Sequence, residues 1–379
     1  MKFVLAPDKY KGSLSGQQFC AAVESGIGLV LPDATIISKP LADGGDGTLE
    51  VVKSYLKASK VKVVVKDPLF RDIEAEYLLS DDKKTAFIEM SEASGYKLLS
   101  KDELNCMYTT SQGTGELIVD ALEKGANEII LGIGGSATND GGMGMATALG
   151  YTFLDENGNV LNPIGKNLTS VRKIVSLNVH KRLPMTTVKV ACDVTNPLYG
   201  KNGAAFIYGP QKGASKSEVN LLDKGLQHFS EVVGSTFGKE IHNSKGAGAA
   251  GGMGFGAMVF LNGTLSSGIN LVMEMAGFDD AINDADWIIT GEGQLDAQTL
   301  SGKTISGVLQ AAQKRNIPVA AFCGSVSISL PELKTLGLQY VTSILNRVGS
   351  LHEAKQNSFN NLELASYNFA KLLQTSIKR

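Results

Sequence analysis

The stretch at residues 128–145 reads E-I-I-L-G-I-G-G-S-A-T-N-D-G-G-M-G-M. An apolar run at 129–133, carrying one glycine, breaks into Gly134, Gly135 and Ser136 and then into Thr138, Asn139 and Asp140. A short apolar run bounded by glycine reads as a buried strand, and the glycines behind it let backbone approach a ligand closely. The interleaved Ser, Thr, Asn and Asp make this a loop that hydrogen-bonds something. Just upstream, residues 111–124 predict a helix with Leu117, Ile118, Ala121 and Leu122 on one face and Gly125 as its stop.

The same helix–strand rhythm occurs at both ends of the chain. Residues 2–6 predict a strand. Ser15 and Gln18 then form a capping box for a helix carrying Phe19, Ala22, Val23 and Ile27. Residues 34–39 predict a second strand, followed by a helix through Leu49, Val52 and Tyr55. Strands at 287–290, 319–323 and 339–345, with helices at 303–315 and from 362, continue it. Alternation of this kind makes a parallel sheet.

Between these segments the pattern changes. Short strands at 62–66, 74–79 and 85–90 with tight turns suggest antiparallel pairing. Residues 151–161 predict a hairpin with Asn157-Gly158 at its tip. Residues 188–192 and 204–208 predict strands, Ser215 with Glu218 a second capping box, and residues 246–256 are dense in glycine. The expected fold is α/β: a Rossmann-like or flavodoxin-like parallel-sheet domain from 1–58, 95–150 and 285–379. A second, β-rich α/β domain, discontinuous in sequence, comes from 59–94 and 151–284.

Composition narrows the function. The 379 residues are 43% apolar and 20% charged, an ordinary globular mix. A net charge of −2 gives no electrostatic footprint for nucleic acid or an acidic membrane. Cys20, Cys106, Cys192 and Cys323 are widely spaced, which argues against a disulfide framework or zinc site and for a reducing cytoplasm. No signal peptide is evident at the start, and no apolar run approaches the ~18 residues of a membrane span. The four histidines have no ligand spacing, and no G-x-S-x-G elbow occurs.

Four loops follow expected parallel strands: residues 8–13, 43–48, 132–142 and 291–303. Ligands of open α/β sheets bind outside the carboxyl ends of strands, so these loops are expected on one rim. Lys9, Lys11 and Ser13 before a helix suit phosphate, or form a solvated surface loop. Asp43 and Asp46, set among glycines, could hold Mg²⁺ or a substrate hydroxyl, or simply make a turn. Gly132-x-Gly134-x-x-Ala137, with Asp155 roughly twenty residues on, loosely fits a dinucleotide fingerprint. The polar residues after it, where an apolar helix start belongs, count against that fit. Ser301-Gly302-Lys303-Thr304 resembles the end of a P-loop, but Ala297 stands where its first glycine is required. Lys303 could still meet phosphate, and Glu292 and Asp296 a metal or hydroxyls. Asp193, after the strand at 188–192, could serve as a base toward a hydroxyl or close an Asx-turn. Pro210-Gln211-Lys212-Gly213 is another anion candidate.

Six stretches together resemble the type-1 glycerate kinase family. They are A-P-D-K-Y-K-G-S-L from Ala6, L-A-D-G-G-D-G-T from Leu41, G-I-G-G-S-A-T-N-D-G-G from Gly132, C-D-V-T-N-P-L-Y-G from Cys192, G-P-Q-K-G-A from Gly209 and T-G-E-G-Q-L-D-A-Q-T from Thr290. They span nearly the whole chain, and one departure is Ile305, where a proline is expected after the threonine. The resemblance implies an ATP- and Mg²⁺-dependent kinase making phosphoglycerate, 2-phosphoglycerate favoured over 3-phosphoglycerate, from D-glycerate. It also implies two α/β domains with the active-site cleft between them, in a monomer or homodimer.

On that reading Asp193 is the base. Lys9 and Lys11 meet phosphates or the glycerate carboxylate, and Asp43 and Asp46 hold Mg²⁺ or orient glycerate. Lys9 and Asp46 join Asp193 as the catalytic group. Ser13, Ser111, Gly113, Gly134, Gly135, Ser136, Thr138, Asp140, Glu292, Asp296 and Lys303 are expected around substrate or phosphate. The rival readings are an NAD-dependent dehydrogenase of a small hydroxy acid and a non-catalytic nucleotide or sugar-acid sensor.

Overall fold

The structure, a computed structural model, describes residues 1–42, 48–296 and 303–377. The strands run, in chain order, β1 (Lys2–Leu5), β2 (Thr35–Ser38), β3 (Ala58–Lys66), β4 (Asp72–Ser80), β5 (Thr85–Glu89), β6 (Glu128–Gly132) and β7 (Thr152–Leu154). There follow β8 (Lys173–Val175), β9 (Thr187–Ala191), β10 (Thr264–Ser266), β11 (Trp287–Leu295), β12 (Val319–Val326) and β13 (Tyr340–Ser343). The chain divides into two compact units, one of Met1–Tyr55 with Ile269–Arg379, the other of Leu56–Gly268.

The first unit holds a five-stranded sheet, β13-β12-β11-β1-β2, parallel throughout. Successive strands run outward in opposite directions from the β1/β11 pair, so the topological switch point lies there. The Ser15–Gln18 capping box forms as expected and starts the Gly16–Gly28 helix. Phe19, Val23 and Ile27 of that helix enter a core with Phe3, Leu5, Ile289, Phe322 and Phe369. Burying each such side chain contributes about 1.5–3 kcal/mol.

The second unit holds a six-stranded sheet, β10-β9-β6-β5-β4-β3. Its first four strands are parallel, and β4 and β3 are antiparallel. The Gln112–Glu123 helix buries the predicted face of Leu117, Ile118, Ala121 and Leu122. Phe153, Phe229 and Phe260 pack in one aromatic cluster of this core. At the sheet edge, Lys60, Lys62 and Lys66 of β3 pair across to Glu76, Glu74 and Asp72 of β4.

Four expectations are corrected. Residues 95–150 do not join the sheet of the chain ends: β6 pairs with β5 on one side and β9 on the other. The second unit is therefore continuous, and only the first is split. By the same pairing, the loops after β1 and after β6 belong to two different sheets rather than one rim. Residues 204–208 form a helix, Ala204–Tyr208, not a strand. Ala204 and Ala205 are buried side by side while Phe206 and Ile207 face outward, a pattern with no period of two. Gly291, Glu292, Gly293 and Gln294, taken as loop, extend β11 alongside β12.

Candidate active site

In the second unit the ends of three parallel strands meet in register. Glu89 of β5 lies opposite Gly132 of β6, and Gly132 opposite Ala191 of β9. Asp193 follows two residues later, exposed, its Oδ1 accepting the Gly268 N–H at 3.0 Å. Beyond β6 the glycine loop splits in two. Gly134 and Gly135 are exposed, and a Cβ at Gly134 would meet nothing within 4 Å. Ser136, Ala137, Thr138, Asn139 and Asp140 are buried.

The buried half is tied down from several sides. The Asp140 Oδ2 accepts from the Ser111 N–H at 2.8 Å, the Ser111 hydroxyl at 2.7 Å and the Gly144 N–H at 3.1 Å, and its Oδ1 accepts from the Gly142 N–H at 3.2 Å. Burial raises its carboxyl, and these hydrogen bonds pull the other way. The Ser111 Oγ in turn accepts the Met145 N–H at 3.0 Å. Lys212, buried, donates from Nζ to the Ser136 Oγ at 2.6 Å and the Thr138 carbonyl at 2.7 Å. Burial brings its amine down to about 8, against the smaller opposing pull of Cys106 and Asp140.

Behind the loop, Ala250, Gly251 and Gly252 take left-handed conformations inside the Ala249–Phe260 helix. At Gly251 a Cβ would stand 2.0 Å from the Thr138 carbonyl oxygen, so only glycine lets the two backbones meet. Gly113 is likewise a packing position, where a Cβ would fall 1.9 Å from the Lys66 carbonyl. Within residues 134–140, the Asn139 amide and the Thr138 hydroxyl are buried side-chain groups with no hydrogen-bond partner among the described residues.

In the first unit the loop after β1 and the end of β11 flank the switch point, where such sheets bind ligands. The Asp8 N–H donates to the Gly291 carbonyl at 2.9 Å, and the Thr304 hydroxyl to the Asp8 Oδ2 at 2.6 Å. Lys11 and Ser13 line a cavity of about 200 Å³ together with Gly293, Gly324, Arg347 and Lys355. A second cavity, also about 200 Å³, is bordered by Asp8, Lys9, Gln17, Ala42 and Glu50. Glu292 sits within β11 and Asp296 one residue past its end. Lys303 begins the Lys303–Gln313 helix. Asp43, Asp46 and Ser301 lie outside the described residues.

Sequence reasoning missed several groups that the fold brings into play. Glu89 ends an apolar strand just as Asp193 does, and that position was the available signal. Arg347 and Lys355 sit in unremarkable polar stretches and gave none. Lys212 reads in the sequence as an anion candidate, whereas the fold makes it an internal tie. Asp155, the acidic residue of the dinucleotide fingerprint, accepts the Asn157 and Asn159 N–H groups of its own turn.

A sequence profile described as the glycerate kinase family matches residues 3–374. The chain belongs to the glycerate kinase family. Its relatives include a glycerate kinase of Halalkalibacterium halodurans, 43% identical over 97% of each chain. Glycerate 2-kinase of Escherichia coli K12 is 43% identical over 100% of this chain and 99% of its own. A crystal structure from Salmonella typhimurium LT2, provisionally named glycerate kinase 2, superposes with a TM-score of 0.88 at 40% identity and covers all of both chains. Family membership fits the parallel sheets and the six recognised stretches.

Proposed function

We propose that the protein transfers the γ-phosphoryl group of ATP to a hydroxyl of D-glycerate and releases 2-phosphoglycerate. The observation that carries this reading is the end-to-end match, at 43% identity, to glycerate 2-kinase of E. coli. Phosphoryl transfer needs cations on the phosphates, an aligned hydroxyl and a group to take its proton. Lys9, Lys11 and Lys303 are proposed for the phosphates or the glycerate carboxylate, with Arg347 and Lys355 adding charge to the Lys11 cavity. Ser13, Glu292 and Asp296 are proposed to contact substrate or nucleotide. Gly134 and Gly135 offer exposed backbone, and Ser136 and Thr138 shape it from below. Ser111, Gly113 and Asp140 support that loop. Asp193 is proposed to face the substrate hydroxyls.

Mg²⁺ is proposed to arrive with ATP and to neutralise the phosphates. Among the described residues no group of three or more His, Cys, Asp or Glu could hold a metal ion. A nucleotide-borne Mg²⁺ needs only one or two protein carboxylates, and Asp43 and Asp46 are the proposed pair. The site of action is proposed to be the cytoplasm, in keeping with four free cysteines. No helix among the described residues is long and apolar enough to cross a membrane.

The deciding experiment measures ADP formation from Mg-ATP with and without D-glycerate and identifies the product by phosphorus NMR. ADP release that depends on glycerate, with phosphate on the 2-hydroxyl, is expected. ADP release that ignores glycerate, or none, would sink the reading.

A further inference from the structure

Glu89 has the environment of a group that works rather than one that holds the fold. It is the last residue of β5, at the carboxyl end of four parallel strands, where α/β sheets place their ligands. Its side chain lies over the α-carbon of Gly132: a Cβ there would be 2.8 Å from the Glu89 Oε2 and 3.0 Å from its carboxyl carbon. The glycine that opens the G-x-G-G loop therefore makes room for this carboxylate. Two residues on, Gly134 is exposed with open space above it.

Structural carboxylates in this unit are saturated, as Asp140 is with four contacts. Asp67 likewise accepts the Leu69 and Arg71 N–H groups and the Arg71 guanidinium. Among the described residues no donor reaches the Glu89 carboxylate. Half-buried, it remains open to a reactant. Burial pushes its carboxyl up to about 7, and the charge of Glu92 on the following Ser91–Ser94 turn adds to the rise. Glu92 itself is faced by Glu76 and Lys60 from the neighbouring strands.

We infer that Glu89 takes the proton from the glycerate hydroxyl as that oxygen attacks the γ-phosphorus. This rests on the kinase reading above. The new O–P bond forms as the bond from the γ-phosphorus to the β,γ-bridging oxygen breaks. The electron pair leaves on ADP, the hydroxyl proton passes to a Glu89 oxygen, and water then removes it. Asp193, bound to the Gly268 N–H, orients the substrate from the end of β9. A base of this kind works best when its own pKa lies near the working pH.

The test is the pH profile of kcat/KM for D-glycerate at saturating Mg-ATP, for wild type, Glu89→Gln, Glu89→Asp and Asp193→Asn. The wild-type profile falls on the acid side near pH 7. Glu89→Gln loses about 10²–10⁴-fold in kcat and its residual rate lacks that fall, while its Mg-ATP-dependent rise in melting temperature is kept. Glu89→Asp recovers part of the rate. Asp193→Asn raises KM for glycerate and keeps the acid limb. A Glu89→Gln enzyme with more than about a tenth of the wild-type kcat, or one that keeps the acid limb, overturns the inference alone. A wild type that makes no phosphoglycerate breaks the kinase reading, and the inference with it.

Discussion

The loop after β6 and the loop after β1 look alike as text, glycine mixed with polar residues behind an apolar strand. In space they are opposites. After β6, Asp140 and Ser136 are engaged by Ser111, Gly142, Gly144 and Lys212 inside the unit. After β1, Lys11 is exposed and borders a cavity whose other walls carry Arg347 and Lys355. Polar side chains in the first loop shape a backbone, and those in the second are available to a ligand. The difference predicts which substitutions cost stability and which cost affinity.

The largest effect is expected at Gly251. Its backbone is left-handed, and a Cβ would stand 2.0 Å from the Thr138 carbonyl. Gly251→Ala should lose more than about 3 kcal/mol in chemical denaturation or fail to fold. Gly134→Ala, where a Cβ meets nothing within 4 Å, should stay within about 0.5 kcal/mol of wild type. Equal stability of the two variants would mean the loop is not locked from behind.

Next comes the contrast between Asp140 and Lys11. Asp140→Ala strands four buried donors, and a loss of about 2–4 kcal/mol is expected. Lys11→Ala should leave the melting temperature unchanged and raise KM for ATP or for glycerate about tenfold, the share of one charge-assisted contact. A Lys11→Ala enzyme that melts early with normal KM would erase the comparison.

The smallest effect concerns Glu89. Its folded carboxyl, at about 7, lies above the unfolded value near ~4.3. The folded state thus holds the proton more tightly, and that stabilisation is present below the unfolded value and lost as pH rises through about 7. Glu89→Gln cannot titrate. It should melt about 1–3 °C above wild type at pH 8, and the gap should close as pH falls to about 4. A lower melting temperature at pH 8 would mean that the carboxylate holds the fold together.

Much of the architecture was legible because its signals are local. The Ser15–Gln18 and Ser215–Glu218 boxes, the Leu117–Leu122 face and the β1 and β2 strands each need only a few neighbouring residues. Sheet membership was not legible. Residues 129–133 read the same beside β1 as beside β5 and β9, since strand pairing is fixed by packing far along the chain. Local propensity also misled at Ala204–Tyr208, where burial of two adjacent alanines decides for helix. In the site, the glycine stretches marked the strand ends. What distinguishes Asp140 from Glu89, four internal donors against none among the described residues, is a three-dimensional fact. The role of Lys212 as an internal tie was hidden for the same reason.

The cross-strand ion pairs on β3 have a consequence of another kind. As the outer strand of its sheet, β3 carries an open row of backbone hydrogen-bonding groups, a template on which another chain could add a strand. Lys60, Lys62 and Lys66 recur at every second or fourth position along it and pair with acidic residues of β4. A second strand laid against that edge would have to accommodate this row of charges beside it, which is how natural sheets discourage edge-to-edge aggregation. These lysines contribute little to the folded state as surface pairs. Their larger service is to keep newly made chains apart while the parallel strands, slow to assemble, find their partners.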